Sequence, residues 1–269
     1  MLPSREVTDP GPARDGMAGG TEARRPGLPL VSVITATFNA ARCLPEAIAS
    51  MRAQTYGNIE WIVVDGASTD ATVELIRRNE DIIAFWSSEP DTGIYDAWNK
   101  ALKRAHGDWI CFLGADDRYV RNDSLEKMMR LAASGPCNFV SGRMRVVVHG
   151  TPIVRGAPWD RARMRNYQVI AHPGAVHHRS LFEQHGQFDV SYRIAGDYDF
   201  LLRAADSIQG KFLDEVVVEM GGEGASNRQL LQVFRETYRI QARFPGIGRP
   251  RAALNFALAV IKAMLRRLA

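Results

Sequence analysis

Apolar runs and helical periodicity alternate through the first half of the chain. Leu30 to Thr37 is β-branched and apolar, a strand by type and length. Phe38-Asn39-Ala40 turns the chain, and Pro45 stands where the first turn of a helix accepts proline. That helix runs to about Gln54, with Leu44, Ile48 and Met51 at helical spacing. Glu60 to Val64 predicts a second buried strand, closing on the loop Asp65-Gly66-Ala67-Ser68-Thr69-Asp70. Ser68 or Thr69 can cap the helix that follows, to about Arg78. Ile82 to Trp86 predicts a third strand, and the loop Glu89 to Gly93 leads to a helix over Ile94 to Ala105, stopped by Gly107. Trp109 to Leu113 is apolar at every position, the pattern of a strand buried on both faces of a parallel sheet.

Strand, helix, strand, helix, joined by short loops, predicts an α/β fold with a mainly parallel sheet flanked by helices. Farther on the pattern changes. Asp123 to Ser134 reads as a helix, Asn138 to Val148 as a long strand, and the stretch with Pro152, Pro158 and Trp159 as a loop. A helix starts at Asp197 with Phe200, Leu201 and Ala204 facing inward, and Phe212 to Met220 reads as a strand returning to the sheet. Ala252 to Ala269 predicts a C-terminal helix with Leu254, Leu258, Ile261, Leu265 and Leu268 on one face, widened by Phe256, Val260 and Met264. No internal repeat is visible.

A chain of 269 residues, 46% apolar and 24% charged, has room for a sizeable core in one large α/β domain or two small ones. The net charge of +4 is unevenly placed: no acid follows Glu236, while Arg239, Arg243, Arg249, Arg251, Lys262, Arg266 and Arg267 do. This asymmetry points to an anionic surface, a membrane and not nucleic acid, for which neither zinc-finger spacing nor aromatic-basic interleaving is present. The apolar run of this C-terminal helix is too short to span a bilayer but the helix could lie in the interface; packing on its own domain or on a second subunit is the alternative. Three widely spaced cysteines, Cys43, Cys111 and Cys137, suggest no disulfide framework and fit a reducing, cytoplasmic setting, with the protein peripheral on the inner face of the membrane. Met1 to Leu28 is rich in Pro, Gly and Arg without an apolar core, which predicts a disordered tail and not a signal peptide. The expected organisation is a tail over 1–28, an α/β domain over 29–220 and a basic helical segment over 221–269.

Asn39, Asp65, Asp91, Asp116 and Asp117 each follow a predicted strand, so they converge on one sheet edge, where open α/β sheets bind ligands. Adjacent carboxylates at Asp116 and Asp117 repel and need a cation, a ligand hydroxyl or solvent to stay ionised. Oxygen ligation suits Mg²⁺ or Mn²⁺, ions that bridge protein to phosphates.

Taken together, Val31 to Asn39, Val63-Val64-Asp65-Gly66-Ala67-Ser68-Thr69-Asp70, Gly93-Ile94-Tyr95-Asp96-Ala97-Trp98-Asn99-Lys100, Phe112-Leu113-Gly114-Ala115-Asp116-Asp117 and Gly196-Asp197-Tyr198-Asp199 resemble the family 2 glycosyltransferases of GT-A fold. The likeness extends over roughly Leu30 to Met220 and is closest to bacterial polysaccharide and glycolipid sugar transferases. It implies an inverting transfer from a nucleotide-diphosphate sugar to a saccharide or lipid-linked acceptor, with Mg²⁺ or Mn²⁺. Ala36, Thr37 and Phe38 would hold the base, and Asp65 would hydrogen-bond base or ribose, although many relatives carry a second acid where this chain has Gly66. Asp96, Asn99 and Lys100 would orient ribose or diphosphate. Asp116 would contact the ribose, Asp117 the metal, and Asp197 would be the general base, a helix cap being its plainer role. His172 could touch diphosphate or acceptor, or be a core histidine; with His177 and His178 it forms no convincing metal set. Asp199 is expected to be structural. A sugar nucleotidyltransferase would need a Gly-rich basic loop after the first strand, which Thr37-Phe38-Asn39-Ala40-Ala41-Arg42 is not. An inactive glycan-binding relative would not be expected to carry Asp116, Asp117 and Asp197 together.

Overall fold

The computed structural model describes residues 27–148, 150–221 and 229–268; nearly all of the predicted N-terminal tail lies outside the described residues. In the first half, strands β1 (Val31–Thr37), β2 (Ile59–Asp65), β3 (Phe85–Ser88) and β4 (Trp109–Phe112) alternate with helices α1 (Leu44–Arg52), α2 (Thr72–Arg77) and α3 (Ile94–Leu102). β1 pairs in parallel with β2 and β4, and β2 with β3. The register sets Thr37 opposite Asp65 and Asp65 opposite Ser88, so these strands finish together at one edge.

The second half contributes β5 (Arg118–Tyr119), α4 (Ser124–Ala132), β6 (Phe139–Val148), β7 (Thr151–Arg155), α5 (Arg161–Met164), a 3-10 turn at His172–Gly174, β8 (Ala175–His178), α6 (Arg179–His185), α7 (Gly196–Arg203) and β9 (Gly210–Met220). All nine strands among the described residues form one sheet, ordered β3-β2-β1-β4-β8-β6-β9-β5, with β7 beside β6. β8 runs antiparallel to β4 and β6, so the sheet is parallel from β3 to β4 and mixed beyond. The strand expected to return after Phe212 does so as β9, parallel to β6 and antiparallel to β5.

Alternation along the strands sends side chains to two cores. Ile34, Ile62, Val64, Ile110 and Phe112 meet Tyr95, Trp98 and Ala101 of α3 together with Phe200 and Leu201 of α7. Val31, Val33, Trp61, Val63 and Cys111 meet Leu44, Ile48 and Met51 of α1 and Leu125 and Met128 of α4. Helices on both faces explain why β1, β2 and β4 read as unbroken apolar runs.

Three local expectations differ from the structure. β3 starts at Phe85, because the N–H groups of Ile82 and Ile83 bond to Asn79 O and extend the turn after α2; Ile83 enters the core from that turn. Neither Ser68 nor Thr69 caps α2, which begins at Thr72 behind Asp70, whose carboxylate accepts from Thr72 N at 3.0 Å. The loop expected around Pro152 is in part strand β7, all five residues of which are exposed. β7 is paired only to β6, and an edge strand tolerates a residue without an N–H.

Two further helices, α8 (Leu230–Arg243) and α9 (Gly248–Leu268), close the described chain. Phe256 of α9 meets Phe234 and Tyr238 of α8 edge-on, and Ala252 is fully buried. Among the described residues nothing covers the opposite stripe: Leu254, Leu258, Ile261, Met264 and Leu265 are 45–61% exposed. Among the described residues no helix is long and apolar enough to cross a membrane.

Candidate active site

Asp65 ends β2, fully buried. Its Oδ1 accepts from Thr37 Oγ1 at 2.8 Å and Ser68 Oγ at 2.5 Å, and its Oδ2 from Ser68 N at 2.8 Å and Ser88 Oγ at 2.7 Å. Four donors fill the acceptor capacity of one carboxylate, so Asp65 ties β1, β2, β3 and the following loop into one edge. Asn39 laces the same loop, donating from its N to Ser68 Oγ at 2.8 Å and accepting from Thr69 N at 2.9 Å. Asn39 and Ala67 both hold positive φ, 48° and 61°, conformations that cost a non-glycine residue and persist only where surroundings fix them.

Phe38 lies at this edge, 67% exposed, beside half-buried Ala36 and buried Thr37. A Cβ on Gly66 would sit 2.5 Å from Asp91 Oδ2 and 3.5 Å from the Phe38 ring. The carboxylate of Asp91 thus occupies the space a side chain at position 66 would need. Asp91 is itself fixed by Gly93 N at 2.8 Å. Asp96 accepts from Thr92 N at 3.0 Å, while Lys100 Nζ donates to Pro90 O at 2.8 Å and pairs with Glu89 at 3.1 Å. Both residues therefore brace the loop that presents Asp91. Asn99 is turned inward, exchanging two hydrogen bonds with the backbone of Phe188.

Beyond β4, Asp117 is 3% exposed and accepts from Gly114 N at 3.0 Å and Gly221 N at 3.2 Å. Burial, with the neighbouring Asp116 charge adding, raises its pKa to about 7. A Cβ on Gly114 would lie 2.7 Å from Asp117 Oδ2, so glycine is what lets the backbone close over the pair. No group of three or more His, Cys, Asp or Glu that could hold a metal occurs among the described residues. Two adjacent carboxylates, one of them buried against its own ionisation, are still a donor set that suits a hard divalent ion whose other ligands are phosphate and water.

Asp197 is the second residue of α7, and the cap position is taken by Ala195, so the plain capping role does not apply. Its Oδ2 accepts from Gln168 Nε2 at 2.8 Å and its Oδ1 from Tyr198 N at 2.9 Å. The Tyr95 hydroxyl lies 3.3 Å from Oδ1, but its one proton is better directed to Ile194 O at 2.6 Å. Burial raises the Asp197 pKa; the hydrogen bonds from Gln168 and Tyr198 N oppose the rise without cancelling it. The guanidinium of Arg193 donates to Thr92 O and stands against Gly93, linking the approach to α7 with the loop bearing Asp91. Asp199 pairs with Arg203 at 2.9 Å, one helical turn on.

His172 is 3% exposed, stacked against Trp98 and Phe112 with ring centroids 5.4 Å apart in each case. Burial lowers its pKa to about 3, so it is neutral in the core. His177 is buried beside it, and His178 instead accepts from Ser180 N at the start of α6. No sequence motif singles out Gln168 or Glu236, and Tyr95 belongs to one only as a neighbour of Asp96; Glu236 is marked in the sequence only as the last acid before a basic tail.

Residues 32–185 match the family described as Glycosyl transferase family 2. An uncharacterized glycosyltransferase of Mycobacterium tuberculosis is 35% identical over 229 residues, 82% of this chain and 87% of that protein. Among solved structures, S. aureus TarS 1-349 in complex with UDP-GlcNAc covers 86% of this chain and 71% of its own, with a TM-score of 0.67 at 18% identity. The mannosyltransferase PcManGT from Pyrobaculum calidifontis, in complex with GDP-Man and Mn²⁺, covers 88% of this chain and 76% of its own, with a TM-score of 0.61 at 22% identity. At such identities the two structures show a shared fold, the GT-A type.

Proposed function

The chain belongs to glycosyl transferase family 2, and from that premise we propose that it is an inverting transferase moving a sugar from a nucleotide-diphosphate donor to a hydroxyl of a saccharide or lipid-linked acceptor. The observation that carries this reading is a sheet edge ending in the Asp116-Asp117 pair, together with a third carboxylate, Asp197, held by Gln168 and Tyr198 N and raised in pKa by burial.

Ala36, Thr37 and Phe38 line the base site, and Asp65 shapes it by fixing the loop beneath. Asp91 supplies the carboxylate for which Gly66 leaves room. Asp116 faces the ribose, and Asp117 would hold Mg²⁺ or Mn²⁺, a charge that stabilises a diphosphate leaving group. Asp197 takes the proton of the acceptor hydroxyl while its oxygen bonds to the anomeric carbon from the face opposite the diphosphate. The sugar–phosphate bond breaks and its electron pair leaves with the nucleotide. Asp96 and Lys100 serve by holding the Asp91 loop, and His172 by packing beneath the site.

Thermal melting with UDP, GDP and dTDP, each with and without Mn²⁺, tests the donor half of this reading. One nucleotide is expected to raise the midpoint by mass action, and to do so more strongly with Mn²⁺. No shift with any of them contradicts it. Gly66→Ala is expected to displace Asp91 and weaken that nucleotide by about 10-fold, or ~1.4 kcal/mol, with the fold retained. Calorimetric affinity equal to the parent's would remove Asp91 from the base site.

The exposed stripe of α9 is assigned to an anionic membrane surface on which a lipid-linked acceptor resides. Arg251 and Lys262 are exposed on the same helix, and no acid occurs after Glu236 to repel lipid phosphates. Leu258→Glu with Ile261→Glu is expected to abolish sedimentation with anionic liposomes and to leave nucleotide binding unchanged. Undiminished sedimentation would end this assignment, and a loss of dimer in solution would give the stripe to a second copy instead.

A further inference from the structure

Glu236 lies on α8, outside the residues that match the family, yet it reaches the segment that carries Asp197. Its Oε1 accepts from Arg193 N at 3.0 Å, and its Oε2 from Ile194 N and Ala195 N, each at 2.9 Å. These three N–H groups belong to the residues just before α7. The first N–H groups of a helix and of the turn leading into it have no partner within the helix, and Ala195 in the cap position has no side-chain oxygen to offer. One carboxylate from another helix therefore fixes the turn that leads into α7. Gln232 Nε2 steadies it at 3.0 Å from Oε1. Burial opposes ionisation of Glu236, but the hydrogen bonds from Gln232 and the three backbone N–H groups outweigh it and hold its pKa below the ordinary value.

The same helix grips the other side of Asp197. Gln241 Nε2 donates to Tyr198 OH at 2.8 Å and to Asn166 O at 2.9 Å. Arg239 lies over the Tyr192 ring at 4.3 Å and donates to Ser191 O at 3.2 Å. Residues 191–198 are thus held by α8 at both ends, and the carboxylate of Glu236 carries three of those bonds. We propose that Glu236 is a positioning residue for sugar transfer, fixing the N-terminus of α7 so that the Asp197 carboxylate stays aimed at the acceptor. This rests on the reading of Asp197 as the base.

A double-mutant cycle tests it. Glu236→Ala is expected to lower the single-turnover transfer rate by roughly 10-fold or more, since a misplacement near 1 Å can cost up to about 10²-fold. The donor KM should stay within about two-fold, because the nucleotide is held by other elements. In an Asp197→Asn background the same change should cost less than about two-fold further, as Glu236 acts only through Asp197. Multiplying losses would overturn the proposal, as would a Glu236→Ala rate within two-fold of the parent. Should Glu236→Ala fail to fold, Glu236→Gln carries the same cycle. It keeps the length and one acceptor oxygen, so a smaller loss and faster exchange at the amides of 193–195 are expected, and neither appearing would equally overturn it. Full activity of Asp197→Asn alone would defeat the base assignment, and is distinguishable because it appears before Glu236 is altered.

Discussion

Asp117→Asn is expected to remove the Mn²⁺-dependent part of nucleotide binding and to lower transfer by about 10²-fold to 10³-fold, the range for losing one element of leaving-group stabilisation. Asn keeps the size and one acceptor oxygen, so it can still take either the Gly114 N–H or the Gly221 N–H, while its NH2 group faces the other. It cannot supply the charge. The substitution also removes one of two like charges in a site where burial already works against ionisation, so the metal-free variant should melt close to the parent. Titration calorimetry of the nucleoside diphosphate, with and without Mn²⁺, separates the cases. Undiminished Mn²⁺-dependent affinity would take the ion away from Asp117. Asp116→Ala should weaken binding less, because a ribose hydrogen bond is worth less than a ligand to a bridging cation.

Asp197→Asn is expected to leave donor affinity within about two-fold and to lower transfer by at least about 10²-fold, the low end for a positioned general base. Stability should change by no more than about 1 kcal/mol, since Asn can accept from Tyr198 N while losing its match to the Gln168 amide, and no cap is lost. The pH profile gives a second reading. Burial raises the Asp197 pKa, and a base works only when deprotonated, so activity should fall as pH drops through that raised value. The acid limb of the parent therefore lies above the ordinary Asp value of about 3.9. Measured with Mn²⁺ at a level that keeps Asp117 ionised, that limb should be absent from whatever activity Asp197→Asn retains. An unchanged limb would show that another group titrates there.

The parallel half of the fold was readable because its strands are buried on both faces and so carry unbroken apolar runs, each ending in a polar turn. Asp65, Asp116 and Asp117 could be picked out for the same reason, as acids placed where apolar segments stop, whereas Asp197, at the start of a helix, stood out only through the resemblance of Gly196-Asp197-Tyr198-Asp199 to the family's acidic motif. What the sequence hid were roles set by distant partners. Asp65 accepts four hydrogen bonds beneath the loop, from Thr37, Ser68 and Ser88, a bracing role that its place at a strand end does not announce. Pro152 argued for a loop, but β7 is an edge strand where a missing N–H is tolerated. Ile82 and Ile83 looked like strand residues because apolarity alone does not separate a strand from a turn that plugs the core. Gln168 and Glu236 approach the Asp197 segment from 29 and 41 to 43 residues away, separations over which no local pattern exists.

A single displacement assisted by Asp197 on the face opposite the leaving group leaves its signature in the configuration of the transferred sugar. Proton NMR of the product formed from a donor of known anomeric configuration, recorded before any mutarotation of released sugar, reads it in one experiment. The opposite anomeric configuration is expected in the product; the same configuration as in the donor would rule out a single displacement.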